Sequence, residues 1–120
     1  MMVAMSYAIE FTDKFEAWWD GLHHAEQVSI DKVVRVLEDR GPALGRPEVD
    51  TLKGSRFSNM KELRVQHAGR PYRIFFAFDP RRSALLLLGG DKTGDERFYE
   101  RMLPLADAIY AQHLRELERE

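Results

Sequence analysis

The chain has no cysteine in its 120 residues. This excludes a disulfide framework, a thiolate zinc site, an iron–sulfur cluster and a cysteine nucleophile, and it fits a reducing compartment. Long apolar runs are also missing. The longest, Ile74–Phe78 and Ala84–Leu88, have five residues each, whereas a membrane-spanning helix needs roughly 20. Met1 to Ser6 lack the basic-then-apolar pattern of an export signal, so the expectation is a cytoplasmic protein that does not engage a membrane. The four histidines, His23, His24, His67 and His113, show no His-Glu-x-x-His or comparable spacing, and no metal or cofactor is expected. A Gly-x-Ser-x-Gly nucleophile elbow is absent as well.

What is present is enough for one core. Thirteen aromatics (Phe 7, Tyr 4, Trp 2) in a chain that is 44% hydrophobic argue against disorder, and the length suits a single domain over residues 1–120. The net charge of −2 argues against a polyanion-binding protein, but its distribution does not. Residues 1–52 carry −5, residues 53–101 carry +5 and the tail carries −2. If the middle segment forms one surface, that surface can hold a polyanion; otherwise its arginines are solubilising charges on strands and turns.

The pattern along the chain predicts an α+β fold. Tyr7–Phe11 reads as a short opening strand. Thr12 or Asp13 then caps a helix bearing Phe15, Trp18 and Trp19, which stops near Gly21. From about Leu22 to Arg40, Ile30, Val33, Val34 and Leu37 repeat at helical spacing until Gly41-Pro42 ends the run, so the two helices form a hairpin. Pro42–Asn59 reads as loop. Met60–His67, Tyr72–Asp79 and Ser83–Gly90 read as strands of an antiparallel meander joined by short turns. Thr93-Gly94-Asp95-Glu96 has capping-box spacing ahead of a helical segment to about Arg101, and Pro104 opens a further amphipathic segment to the end.

Arg64, in Glu62-Leu63-Arg64, and Arg73, in Tyr72-Arg73-Ile74, fall where a hairpin can aim both from one face of adjacent strands. Two guanidiniums on a sheet face need anionic partners. Those partners are either the phosphates of a polynucleotide or a structural carboxylate, with Glu62 the obvious acceptor. Lys92 sits in a Gly-rich turn (Gly89-Gly90-Asp91-Lys92-Thr93-Gly94) that feeds a helix N-terminus, a place suited to phosphate although it is not a Walker A loop. His67 ends the first meander strand, as a general base or as an exposed hairpin residue. Tyr72 and Tyr99 can stack on a base or place a phenol near phosphate, or else belong to the core or its rim.

The ordered set Leu52-Lys53, Lys61-Glu62-Leu63-Arg64, Tyr72-Arg73-Ile74-Phe75-Phe76, Asp79-Pro80 and the Lys92 turn resembles the RelE/ParE superfamily of type II toxin–antitoxin toxins, in its phage-derived HigB-like branch. The resemblance implies a RelE-like, microbial-RNase-like α+β fold: an N-terminal helical hairpin packed on an antiparallel sheet of about four strands, with a C-terminal helix. It implies metal-independent cleavage of mRNA on the ribosome, in which a 2′-hydroxyl attacks the adjacent phosphate. Arg64, Arg73 and Lys92 then bind and polarise phosphate, His67 and Tyr99 are candidates for proton transfer, and Lys53, Arg56, Lys61 and Arg70 are candidate RNA contacts. The implied partner is a cognate antitoxin of helix-turn-helix type. Glu62 stands where RelE itself has lysine, and Asp91 precedes Lys92 where many relatives carry a second base. The alternative is a non-catalytic protein-binding toxin of the ParE kind, which poisons DNA gyrase, or an inactive relative.

Overall fold

The structure is a computed structural model that describes residues 6–120; the reading of Met1 to Met5 as free of an export signal lies outside the described residues. Among the described residues, eight strands and α-helices follow in order, with a short 3-10 turn at Gly41–Ala43 after the second helix: strand β1 (Ile9–Phe11), helices α1 (Asp13–Asp20) and α2 (His24–Arg40), strands β2 (Val49–Thr51), β3 (Lys61–His67), β4 (Arg70–Phe78) and β5 (Ala84–Asp91), and helix α3 (Phe98–Glu118).

Local chemistry accounts for the helix ends. The Thr12 hydroxyl accepts from the Phe15 amide and starts α1, while donating to the Leu87 carbonyl at 2.6 Å, so one side chain both caps the helix and ties it to β5. Gly21 ends α1. His23 starts α2, with the Glu26 carboxylate accepting from its amide at 2.8 Å. Gly41 ends α2 at φ 59°, with the Tyr7 ring pressed against it so closely that a Cβ would lie 2.2 Å from a ring carbon.

The sheet has five strands in the order β1-β5-β4-β3-β2. It is mixed, because β1 runs parallel to β5 while every other pairing is antiparallel. Two features differ from the predicted four-stranded antiparallel sheet. β1 returns alongside β5 in the same sense, and β2 lies inside the stretch that reads as loop, since three residues are too few to display alternation. The hairpin α1–α2 covers one face of the sheet, burying Phe15, Ile30, Leu37, Leu63, Tyr72 and Phe76. Helix α3 covers the other, with Met60, Phe75, Leu87, Phe98 and Tyr110 buried beneath it.

Helix α3 corrects two expectations. The Thr93–Glu96 capping box does not form. Thr93 is turned back onto the Asp91 carboxylate, Gly94 takes φ 65° in a turn, and the helix begins only at Phe98. Pro104 does not restart the helix but lies within it. A helical proline costs about 3 kcal/mol. Burial of Phe98 alone is worth about 1.5–3 kcal/mol, and Met102, Ile109 and Leu114 also pack on this core. Pro104 itself is exposed, as is Glu100 one turn before it, so the unbonded carbonyl meets water.

A bulge in β5 sets the site. Phe75 pairs with Leu88 and Phe76 with Leu86, which leaves Leu87 without a partner, and both Leu87 and Leu88 join the α3-side core. Beyond the bulge the alternation is reversed. Gly89 faces Trp18 of α1 and Gly90 faces Phe98 of α3. Lys92 consequently emerges on the α3 side and not on that of the hairpin.

Candidate active site

Arg64 and Arg73 are direct register partners on β3 and β4, in the row that looks toward α3. Like charges placed opposite each other repel, and Glu62 in the same row of β3 resolves the conflict. Its Oε1 lies 3.1 Å from Arg73 Nε and accepts from the Tyr99 hydroxyl at 2.5 Å, and its Oε2 lies 3.6 Å from Arg64 Nη2. Arg64 is shared with Asp50 of β2 at 3.2 Å, which also takes Arg46 at 3.0 Å. Glu62 and Arg73 are nearly enclosed, with side chains 5% and 13% exposed, while Arg64 is 34% exposed. The Nε atoms of both arginines are buried without a hydrogen bond. That of Arg73 is close to Glu62, but its N–H is not aimed at the oxygen, so the contact is Coulombic. Both Nε donors are thus buried without a hydrogen bond and closed to solvent.

Tyr99 comes from the first turn of α3 and stacks on Phe75 with centroids 5.9 Å apart. Burial raises its phenol above the ordinary tyrosine range and the Glu62 hydrogen bond raises it further, so at neutral pH it is a proton donor. Lys92 Nζ lies 5.7 Å from the centroid of the Tyr99 ring. Beside Tyr99, Gly54, Arg56, Leu103, Pro104 and Asp107 line a cleft of about 500 Å³. The buried Asp107 carboxylate fixes its loop by accepting from Ser55 Oγ at 2.5 Å and from the Arg56 amide at 2.9 Å. Among the described residues, Lys53, Arg56 and Lys92 form no ion pair; Arg56 lines the cleft, Lys92 lies over Tyr99, and Lys53 directly precedes Gly54 of the lining.

The sequence candidates therefore divide. Arg64, Arg73, Lys92, Tyr99 and Arg56 gather on the α3 side, with Lys53 in the adjoining loop. His67 does not join them: it has the parity of Leu63 and Val65, faces the helical hairpin, and is hydrogen-bonded to Ser29 Oγ at 2.6 Å. Lys61 shares that parity, in register with Phe76. Arg70 lies at the β3–β4 turn, 3.7 Å from Asp91. Asp91 itself pairs with Arg70 and Thr93 and forms no ion pair with Lys92, because successive residues leave a strand on opposite sides. Tyr72 is a core residue against Trp18 and donates to Glu26.

Glu62 is the hub that the sequence reading treats only as an ion-pair acceptor. The available signal is a carboxylate two residues from an arginine that faces another arginine. Asp50 has no such signal, since its strand is not recognisable. No cluster of His, Asp and Glu among the described residues could hold a metal, and no helix among them is long and apolar enough to cross a membrane.

Comparisons with known proteins agree with this architecture. A family model described as phage derived protein Gp49-like (DUF891) matches residues 17–111. Two proteins of Mycobacterium tuberculosis are similar to the chain. One, carrying the toxin name HigB2, is 44% identical over 108 residues, covering 88% of this chain and 54% of that protein. The other, carrying the toxin name HigB3, is 46% identical over 101 residues, covering 83% and 87%. The chain thus spans about half the length of the first relative and most of the second. Among solved structures, the free state of an E. coli toxin RelE double mutant matches with a TM-score of 0.59 over 82% of this chain and 96% of that one, at 14% identity. This last likeness speaks for the fold alone. The family match over most of the chain, together with the two relatives that carry the HigB toxin name, places the protein in the phage-derived Gp49-like family.

Proposed function

We propose that the protein is the toxin of a type II toxin–antitoxin pair and a metal-independent mRNA endoribonuclease that works in the cytoplasm on ribosome-bound message. The observation that carries this reading is the α3-side cluster: two guanidiniums in register on adjacent strands, held through Glu62 to a protonated Tyr99, with Lys92 over the Tyr99 ring. RNA follows the free cations Lys53, Arg56 and Lys92 to this cluster. The 2′-hydroxyl of one nucleotide attacks its own 3′-phosphate. Arg64 and Arg73 stabilise the charge that builds on the phosphoryl oxygens. Glu62 takes the 2′-hydroxyl proton, and Tyr99, already hydrogen-bonded to Glu62, gives its proton to the departing 5′-oxygen and regains one from Glu62. The products are a 2′,3′-cyclic phosphate and a free 5′-hydroxyl, with protons in balance.

A second reading, a non-catalytic toxin of the ParE kind, is favoured by one observation. Both guanidiniums are already ion-paired, so the site is not an open cationic hollow. Expression of the chain with and without Arg73→Ala, followed by mapping of mRNA 5′ ends, separates the two. New ends that vanish with Arg73→Ala support the nuclease. Growth arrest without new ends supports the gyrase-directed reading, and no effect from either chain indicates an inactive relative.

A further inference from the structure

The cleft beside Tyr99 has one wall on α3 and the other in the loop between β2 and β3. On the helix, Tyr99, Leu103 and Asp107 line it at intervals of four residues, so they stand one above another on a single face. Gly54 and Arg56 line it from the loop.

Asp107 has no part in the proton transfers of Glu62 and Tyr99, yet its placement is costly. It is 5% exposed, and among the described residues it forms no ion pair. A carboxylate withdrawn from water without a cation is expensive unless hydrogen bonds compensate. The bonds that compensate come from the loop. The Ser55 hydroxyl donates to Asp107 Oδ1 at 2.5 Å and the Arg56 amide to Oδ2 at 2.9 Å, while Ser55 Oγ accepts from the Phe57 amide at 3.0 Å. Three consecutive residues are thus tied to one carboxylate. The Phe57 ring packs edge-on against Tyr110 of α3, with centroids 4.9 Å apart, and the Arg56 guanidinium lies over the Phe57 ring, 5.6 Å from its centroid. A simple contact between helix and loop needs no charge. Two acceptor oxygens on one planar group fix the donors of adjacent residues at once, and so set the orientation of the loop as well as its distance.

We propose that Asp107 is a positioning residue for RNA: it holds Arg56, and Lys53 ahead of it, against the α3 face that presents Tyr99, so that Arg56 meets the phosphate next to the one entering the Glu62–Arg73 cluster. This rests on the nuclease reading above. Asp107 acts through Arg56, and the sign of its removal separates this role from plain electrostatics. Taking a carboxylate away from the path of a phosphate strengthens RNA binding if charge alone matters. Taking away the anchor of Arg56 weakens it.

The test uses the full chain, unmodified and as Asp107→Ala, Arg56→Ala and the double form, with a fluorescent non-cleavable single-stranded oligoribonucleotide titrated by anisotropy from low to moderate salt. Asp107→Ala and Arg56→Ala each weaken binding about fivefold to tenfold, and each lowers the slope of log Kd against log salt by about 0.7, the share of one phosphate contact on a single strand. The double form binds no more weakly than the weaker single form, because both substitutions remove the same contact. In cleavage of ribosome-bound message, KM rises by a similar factor and kcat stays within about twofold. Thermal melts verify folding. If Asp107→Ala does not fold, Ser55→Ala, which removes the hydroxyl and keeps the carboxylate on the Arg56 amide, carries the same comparison with a smaller loss. The inference is overturned by Asp107→Ala binding RNA as tightly as the unmodified chain or more tightly, by an unchanged salt slope, by losses that add in the double form, or by a fall in kcat at constant KM. The nuclease reading is judged apart, by growth arrest and new RNA ends from the unmodified chain expressed alone. New ends, with RNA binding undiminished by Asp107→Ala and Ser55→Ala, refute the positioning role only. No new ends and no RNA binding refute the reading, and the positioning role with it.

Discussion

Replacing Glu62 by glutamine tests the electrostatic account of the site directly. The carboxylate is 5% exposed and faces Arg73 at 3.1 Å and Arg64 at 3.6 Å. Glutamine keeps the size of the side chain and an acceptor for Tyr99 but removes the charge, leaving two guanidiniums opposite each other. Breaking a buried ion pair costs about 3–5 kcal/mol. Here the loss is smaller, because Arg64 is one-third exposed and retains Asp50. A loss of about 2–3 kcal/mol is expected, which at an m-value near 1–2 kcal/mol/M lowers the urea midpoint by about 1–3 M. The same substitution frees both guanidiniums, so affinity for a non-cleavable single-stranded oligoribonucleotide should rise while cleavage is lost. Urea denaturation at pH 7 and fluorescence anisotropy read the two effects on one preparation. A chain with unchanged midpoint and unchanged RNA affinity would refute the argument, since Glu62 would then be neither holding the arginines nor competing with phosphate for them.

Three further outcomes follow from the same geometry. His67→Ala should leave RNA cleavage unchanged in an oligonucleotide assay and lower stability by about 1 kcal/mol through its lost bond to Ser29. Gly41→Ala should destabilise by at least about 2 kcal/mol in urea titration, since it meets both the positive φ and the Tyr7 ring. Burial tends to raise the Asp79 carboxyl, but bonds from His113 at 2.9 Å, from Arg81 at 2.8 Å and from the Ser83 amide outweigh it and hold it below the ordinary aspartate range. A depressed folded pKa gives stability that is full above the unfolded value of about 3.9 and lost as pH falls through the lower folded value. Asp79→Asn should therefore flatten the acid limb of Tm against pH below about pH 4, besides loosening the hold on α3 near neutrality.

The α+β class, the helical hairpin with its Gly41 stop, and the Arg64–Arg73 pairing were legible because each rests on local rules. Helical period, strand alternation and a short hairpin turn constrain residues close together in the chain. Strand alternation puts Glu62 and Arg64 on one face of β3, and the ion pair between them follows from it. By the same parity rule, His67 belongs with Leu63 and Val65 on the hairpin face, so its removal from the candidate site needed only the observation of which face carries which helix. The Thr93 capping box and the Pro104 break were misleading for the opposite reason. Both are local signals, overruled by an Asp91 contact and by burial of α3.

By itself, the sequence determined which residue types could grip phosphate and which backbone segments could carry them, since composition, period and turn chemistry act over a few residues. Beyond the β3–β4 hairpin, tertiary structure decided which of them meet. The unpaired Leu87 reverses the parity of β5 and puts Lys92 over Tyr99, across from Asp91. The packing of α3 brings a tyrosine 37 residues away in the chain onto Glu62. The physical reason is that a bulge or a helix docking is chosen by burial summed over the whole core, and no window of neighbouring residues contains that sum.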